Sequence, residues 1–282
     1  MYYTSGFPQC LDNLVVLANV HSNVPVRTGV DLAAGVRAFA LAASTRPPAA
    51  GPVHLVVEEQ RLRMLVRLFG REPAATEVVV LAAPAHARQL FWDALGSLPM
   101  PAQRLFRLLV TEVALLDGDV IVPGSGALLE QLGTVYVSPA SGWEVGDVAE
   151  CLVHEMTHLL LRCDENRYGH YIDPVDAARP QEFGCSAVTL SMRSPTVVFH
   201  SLVVAAEIMS LRLQRRAAHS VDTEPVRDGV HGPDGVLVER ALRCADEVLQ
   251  RPDRDRHFTD RAVLLMTRAA DKLRASVPAK VG

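Results

Sequence analysis

The chain has 282 residues, of which 49% are hydrophobic, and a formal net charge of −4 at pH 7. This balance predicts a globular protein with a sizeable core, and the lack of a long basic run argues against nucleic-acid binding. Five cysteines without a CxxC pair argue against a disulfide framework. Because the first residues lack a signal-peptide pattern and no apolar run reaches the ~18 residues of a membrane span, we expect a cytoplasmic protein without membrane contact.

The N-terminal region, 1–115, is expected to be mostly helical. Alanine-rich or amphipathic stretches, several of them bounded by proline or glycine, predict four helices, at 30–44, 53–70, 84–95 and 101–116. The run Glu77–Ala82 is short and rich in β-branched residues, so it predicts one buried strand among these helices.

The next segment leads into the most informative helix of the chain. Residues 124–133 predict one or two helical turns, and Thr134–Val137 predicts a strand immediately before that helix. A strand in this place could lie along a site on the helix and offer its edge to an extended peptide. An ordinary sheet strand is the alternative.

The helix itself carries His154-Glu155-Met156-Thr157-His158, an HExxH motif. Asp147 and Glu150 predict an N-cap and its capping-box partner, and apolar residues recur at helical spacing behind them. Residues four apart lie on one face of a helix, so the two imidazoles converge beside the Glu155 carboxylate. This arrangement suits a divalent metal ion, whereas two unrelated surface histidines are the alternative.

The remainder of the chain is expected to be helical after one long irregular stretch. Residues 163–194 are poorly periodic, with a short strand expected at Cys185–Ser191. Ser194 and Pro195 predict the N-cap and first residue of a helix that extends to about residue 217. A polar linker at 219–233 then precedes two predicted helices, at 234–250 and 259–276.

A third protein ligand is expected, because two histidines hold a catalytic metal poorly. The candidates downstream are Glu182, His200 and Glu207. His200 and Glu207 are seven residues apart, on one inward-facing side of the helix that begins at Pro195. We favour His200 as the ligand and Glu207 as an alternative ligand or as hydrogen-bond partner of a ligating imidazole. A core histidine and a buried acid paired with an arginine are the structural alternatives.

Together these elements predict an α+β fold that is predominantly helical, with a small sheet beside the metal-binding HExxH helix. Three regions are expected within one compact domain: the mostly helical region 1–115, the metal-site region 116–217 and a C-terminal helical pair in 218–282.

Three segments of the chain resemble the HExxH-motif proteins of peptide natural-product gene clusters: Gly133–Pro139, Leu152–His158 and Met192–His200. That family has a strand, an HExxH helix and an Arg-Pro…Leu-His segment that opens a later helix. Its members are regarded as iron(II)- and 2-oxoglutarate-dependent peptide β-hydroxylases. The chain departs from the pattern at Ser194, where the family usually has proline, and at Phe199, where it has leucine.

The resemblance implies a site and a reaction. His154, His158 and His200 fall on the metal ligands, and Arg193 falls on the arginine of the family. An arginine fork suits the distal carboxylate of 2-oxoglutarate, and iron(II) must keep open positions for the keto acid and dioxygen. The implied substrate is a peptide natural-product precursor that is hydroxylated on a side chain.

A zinc-dependent HExxH metallopeptidase is the main alternative. Glu155 would take a proton from the zinc-bound water, and Tyr168, His170 or Tyr171 would stabilise the oxyanion. However, no third ligand follows His158 at the short spacing of the HExxHxxGxxH peptidases. A non-catalytic scaffold stabilised by a metal is a third interpretation, in which an acidic residue within the motif has no purpose.

Overall fold

The computed structural model describes residues 2–22, 25–44, 53–69, 82–128, 131–189, 191–218 and 229–276. Most of these residues are helical and a small mixed sheet accompanies them, which confirms the predicted α+β class. The chain divides into two compact units with boundaries different from the three expected regions. One unit, here the sheet unit, is Leu11–Leu159, and the other, here the helical unit, is Met1–Cys10 with Leu160–Gly282.

The helices and strands of the described residues are, in chain order, α1 Tyr2–Ser5, α2 Phe7–His21, α3 Gly29–Ala43, β1 His54–Val56, α4 Glu59–Leu68, α5 Ala85–Ser97, α6 Met100–Leu109, β2 Glu112–Leu115, β3 Gly124–Ala127, β4 Thr134–Ser138, α7 Val145–Tyr168, α8 Pro174–Ala178, β5 Gly184–Cys185, β6 Met192–Arg193, α9 Pro195–Ala218, α10 Asp234–Leu249 and α11 Asp260–Ser276. The predicted helices at 30–44, 84–95, 234–250 and 259–276 are confirmed within a few residues at each end.

The sheet of the sheet unit has the strand order β1–β2–β4–β3. β1, β2 and β4 are parallel, and β3 pairs antiparallel with β4. Side chains alternate between the two faces of a sheet. Val56, Ala114 and Tyr136 share one face, where they form a buried cluster with Leu62 and Leu65 of α4. The other face therefore carries the residues one step along each strand.

The sequence predictions are wrong at three places in this sheet. The start of the helix expected at 53–70 forms β1, and the end of the helix expected at 101–116 forms β2. Residues 124–127, expected in helical turns, form β3. Hydrogen bonding between segments distant in the chain outweighs the local helical periodicity in β1 and β2, and two glycines disfavour a helix in β3. Of the strand expected at Glu77–Ala82, only Ala82 lies within the described residues, where it forms an isolated bridge with Leu116.

The strand expected at Thr134–Val137 is confirmed as β4, and of the two interpretations of this strand the structure agrees with the ordinary sheet strand. β4 hydrogen-bonds to β2 on one side and to β3 on the other. Among the described strands, β3 is the outer one on this side of the sheet.

The core of the helical unit is α9, which begins at Pro195 as predicted and packs against α1, α8, α10 and α11. This helix is long and apolar enough to cross a membrane by length and composition alone. However, 78% of its apolar window is buried inside the protein, as in the core helix of a soluble protein.

A buried ion pair also stabilises the helical unit. Asp164, at the end of α7, is fully buried and accepts hydrogen bonds from Arg261 Nε at 2.9 Å and Nη2 at 2.5 Å. His170 Nε2 lies 2.8 Å from Asp164 Oδ1. The Arg261 guanidinium stacks over the Tyr168 ring, 4.5 Å from its centroid. These contacts join the end of α7 to the start of α11.

Replacing Asp164 by asparagine is expected to reduce the loss of stability in acid. Burial alone would raise the pKa of Asp164, but the hydrogen bonds from Arg261 and His170 outweigh it and hold that pKa well below its usual range. A carboxylate with a lowered folded-state pKa contributes stability above its unfolded pKa of about 3.9, and this contribution is lost as the pH falls. The free energy of unfolding should therefore drop less between pH 7 and pH 3 in Asp164→Asn than in the parent, as measured by urea denaturation. The exposed Asp271→Asn control should keep the parent's drop; an equal drop in all three proteins contradicts the assignment.

Candidate metal centre

The helix that carries the HExxH motif begins two residues before the predicted N-cap. α7 starts at Val145, and Asp147 Oδ2 accepts a hydrogen bond from the backbone N–H of Glu144 at 2.8 Å. Asp147 is therefore the third residue of the helix, reaching back to the residue before it, and the N-cap predicted at Asp147 is wrong. α7 also continues to Tyr168, into the stretch expected to be irregular.

The structure brings together the side chains of His154, Glu155 and His158. Their possible ligand atoms all lie within 4.8 Å of one another. The two imidazole centroids are 4.9 Å apart, and His154 Nε2 is 3.9 Å from Glu155 Oε1. Two nitrogens and a carboxylate oxygen at this separation are a suitable donor set for one divalent ion.

Burial shifts the pKa of two members of this group, His158 and Glu155. Burial lowers the pKa of His158 to about 4, so the imidazole is neutral at pH 7, which is the form that binds metals. Burial raises the pKa of Glu155 to about 8, although hydrogen bonds from Ser125 and from the backbone of Ala127 oppose this shift. A divalent cation beside the carboxyl group would favour its ionised form.

Ser125 is the residue of this site that sequence reasoning missed. Ser125 Oγ donates a hydrogen bond to Glu155 Oε1 at 2.6 Å. The other oxygen, Oε2, is buried and makes no hydrogen bond of normal geometry with a described residue. The sequence pattern that could have indicated Ser125 is the alternation Gly-Ser-Gly-Ala of β3. This alternation places a single hydroxyl on one face of a strand that lies close to the HExxH motif.

His200 and Arg193, the other residues implied by the resemblance, belong to the helical unit. His200 is buried on α9, with 6% of its surface exposed. Arg193 is the exposed second residue of β6, and its backbone carbonyl accepts a hydrogen bond from Phe183 N–H. Its guanidinium makes no hydrogen bond or ion pair with any residue that the structure describes. Arg193 is thus a cation without a protein carboxylate partner within those residues.

Glu207, the alternative ligand, is fully buried on α9 and has partners at the N-terminal helix. Glu207 Oε2 accepts a hydrogen bond from Tyr3 N–H at 2.7 Å. Glu207 Oε1 accepts hydrogen bonds from the N–H and the hydroxyl of Thr4, both at 2.6 Å. The carboxylate therefore caps the first turn of α1, which anchors this short helix on α9. Backbone and hydroxyl groups of α1 are thus donors to this buried acid.

The residues considered as oxyanion donors of a peptidase make contacts of their own. His170 is fully buried and bound to Asp164 through Nε2. Tyr171 is also buried, whereas Tyr168 is exposed and stacks with the Arg167 and Arg261 guanidinium groups. These side chains serve the packing of the helical unit.

Comparison with known proteins identifies no matching family model and no matching curated protein. We therefore infer the function from the site and from its sequence motifs. The described site offers two imidazole nitrogen donors, one buried carboxyl group and one hydroxyl that holds this carboxyl group from the neighbouring strand.

Proposed function

We propose that this protein is an iron(II)- and 2-oxoglutarate-dependent oxygenase that hydroxylates a side chain of a peptide natural-product precursor. The grouping of His154, Glu155 and His158 on α7, with Glu155 buried and both histidines half-buried, supports the metal centre. The choice of iron and 2-oxoglutarate is supported by the resemblance of Met192–His200 to the peptide β-hydroxylases. All five cysteines are free thiols, which is in keeping with a reducing cytoplasm as the place of action.

We propose the following roles for individual residues. His154 and His158 would hold the metal through neutral imidazoles, and His200 is proposed as the third ligand because of its residue type and the resemblance. When bound, iron(II) with 2-oxoglutarate would supply the activation of dioxygen. Glu155 would hold a proton or a water molecule at Oε2, the oxygen without a hydrogen bond of normal geometry among the described residues.

A peptide substrate is supported by the outer edge of β3. Leu128 N–H donates to Thr134 O at 3.0 Å, and with the antiparallel register this turns the backbone groups of Gly124 and Gly126 toward β4. The backbone N–H and C=O groups of Ser125, and the C=O of Ala127, consequently point away from β4. An extended peptide could pair with these groups as an additional strand next to Glu155, and the small side chains of β3 would not obstruct it.

The proposed contact between Arg193 and 2-oxoglutarate predicts that truncation of Arg193 lowers the affinity for this co-substrate. Arg193→Ala should weaken the binding of 2-oxoglutarate to the metal-loaded protein at least tenfold, because truncation of one partner in an Arg–carboxylate pair costs about 2–5 kcal/mol. Equilibrium titration with 2-oxoglutarate under anaerobic conditions measures this change. Arg179→Ala, an exposed arginine in the same unit, is the matched control and should bind as the parent does. Equal affinity in Arg193→Ala would remove Arg193 from the proposed site.

A zinc metallopeptidase is the second candidate, because the same observations serve it. Glu155 lies beside both histidines, and the β3 edge would present a peptide bond to a metal-bound water. The two functions separate in a single assay. The oxygenase requires 2-oxoglutarate and dioxygen, whereas a peptidase cleaves peptides with zinc alone and loses activity in Glu155→Gln.

A further inference from the structure

One side chain of the sheet holds the carboxyl group of the candidate metal centre. Ser125 donates its hydroxyl hydrogen to Glu155 Oε1 at 2.6 Å, a short distance for a hydrogen bond between oxygens. The Glu155 side chain is only 1% exposed, so water cannot readily replace a lost donor. A buried carboxyl oxygen without its donor is costly, and the side chain would turn toward another partner.

β3 has few side chains that could donate a hydrogen bond to the Glu155 carboxyl group. Gly124 and Gly126 bring no side chains, and a Cβ atom at Gly126 would lie 2.4 Å from Tyr136 Cε1. Ala127 contributes only its backbone N–H to the carboxyl group. Within Gly-Ser-Gly-Ala, Ser125 is thus the one residue with a hydroxyl, and it lies on the face of β3 that meets α7.

The backbone of Ser125 could also contact a peptide substrate. Its N–H and C=O point away from β4, toward the position where a peptide strand would pair with β3. The same residue would therefore contact a bound peptide through its backbone and Glu155 through its side chain.

We propose that Ser125 is a positioning residue that fixes the orientation of the Glu155 carboxyl group in the candidate metal centre. This inference rests on the proposed function insofar as it takes His154 and His158 to be metal ligands. It holds for either reaction considered above, because both need Glu155 in a defined orientation toward the metal site.

Cobalt(II) substitution and crystal structures test the proposal. Ser125→Ala should bind one cobalt(II) within about tenfold of the parent affinity, but its visible spectrum should change in the direction of Glu155→Ala. Its crystal structure should show Glu155 Oε1 displaced by about 1 Å or more. Ser125→Thr keeps the hydroxyl and should retain the parent's spectrum and carboxyl position. Ser138→Ala removes a buried hydroxyl of β4 whose hydrogen bonds within the described residues go to two backbone carbonyls, so it is the matched control and should also retain them.

Two results would overturn the proposal. One is an unmoved Glu155 in Ser125→Ala together with the parent's spectrum, and the other is a Ser125→Thr variant that behaves like Ser125→Ala. If Ser125→Ala does not fold, Ser125→Cys, which has nearly the same shape and a weaker donor, replaces it. A parent protein that binds no cobalt(II) would contradict the proposed function instead, and the carboxyl position in metal-free crystals would still decide the role of Ser125.

Discussion

His154→Ala and His158→Ala should each lose stoichiometric metal binding while remaining folded. The two imidazoles are the paired nitrogen donors of the group on α7, and removal of either leaves one nitrogen beside a carboxyl group. Loss of a direct ligand should weaken metal binding by more than the roughly 10- to 100-fold typical of a hydrogen-bond partner of a ligand. Competition titration with a chromophoric chelator, using zinc(II) and iron(II), measures the change.

The matched control for these variants is His86→Ala. His86 is an exposed histidine on α5 in the same compact unit, so its removal takes away one imidazole without touching the group on α7. The control should keep the parent's affinity and stoichiometry. Full metal occupancy in either His154→Ala or His158→Ala would show that the ion lies elsewhere.

We also expect a large loss of stability when Glu112, the buried carboxylate at the start of β2, is replaced. Its side chain accepts hydrogen bonds from Arg61 Nε at 2.8 Å and Arg61 Nη2 at 2.6 Å. Thr134 Oγ1 and Gln131 Nε2 also donate to it, at 3.1 and 3.3 Å. Glu112 and Thr134 are register partners on neighbouring strands, so this network joins the N-terminal ends of two parallel strands to α4.

Glu112→Ala should lower the free energy of unfolding by about 3–5 kcal/mol, because Arg61 and the other donors would lose a shared buried acceptor. Guanidinium denaturation at pH 7 measures the loss. Arg63→Ala breaks an ion pair with Glu59 whose two side chains are about 40% exposed, and it should cost less than about 1 kcal/mol. Similar losses in Glu112→Ala and Arg63→Ala would mean that the buried network contributes no more than a surface pair.

Sequence reasoning worked where the signal lies within one segment. The apolar spacing of α9, with Pro195 at its first position, gave a helix that begins where predicted. Likewise the HExxH spacing placed His154 and His158 together, since neighbours on one helical face follow from helix geometry alone. Periodicity also identified the C-terminal pair α10 and α11.

Sequence reasoning failed where two residues or strands that contact each other are distant in the chain. β1 and β2 are strands because they pair with each other, a contact that local periodicity does not encode. Ser125 was missed for the same reason, since its link to Glu155 joins residues 30 positions apart. For Glu207 the need for a partner was foreseeable from its place on an inward face, whereas its partners Tyr3 and Thr4 lie some 200 positions away.

The central claim, an iron(II)- and 2-oxoglutarate-dependent oxygenase acting on peptides, is tested most directly by product analysis. Protein purified anaerobically and loaded with iron(II) is supplied with 2-oxoglutarate, dioxygen and a mixture of short peptides. We expect succinate together with a peptide product heavier by one oxygen atom, and neither product from His154→Ala. A protein that forms no succinate, but with zinc alone cleaves peptides and loses that activity in Glu155→Gln, would contradict the claim and establish a metallopeptidase.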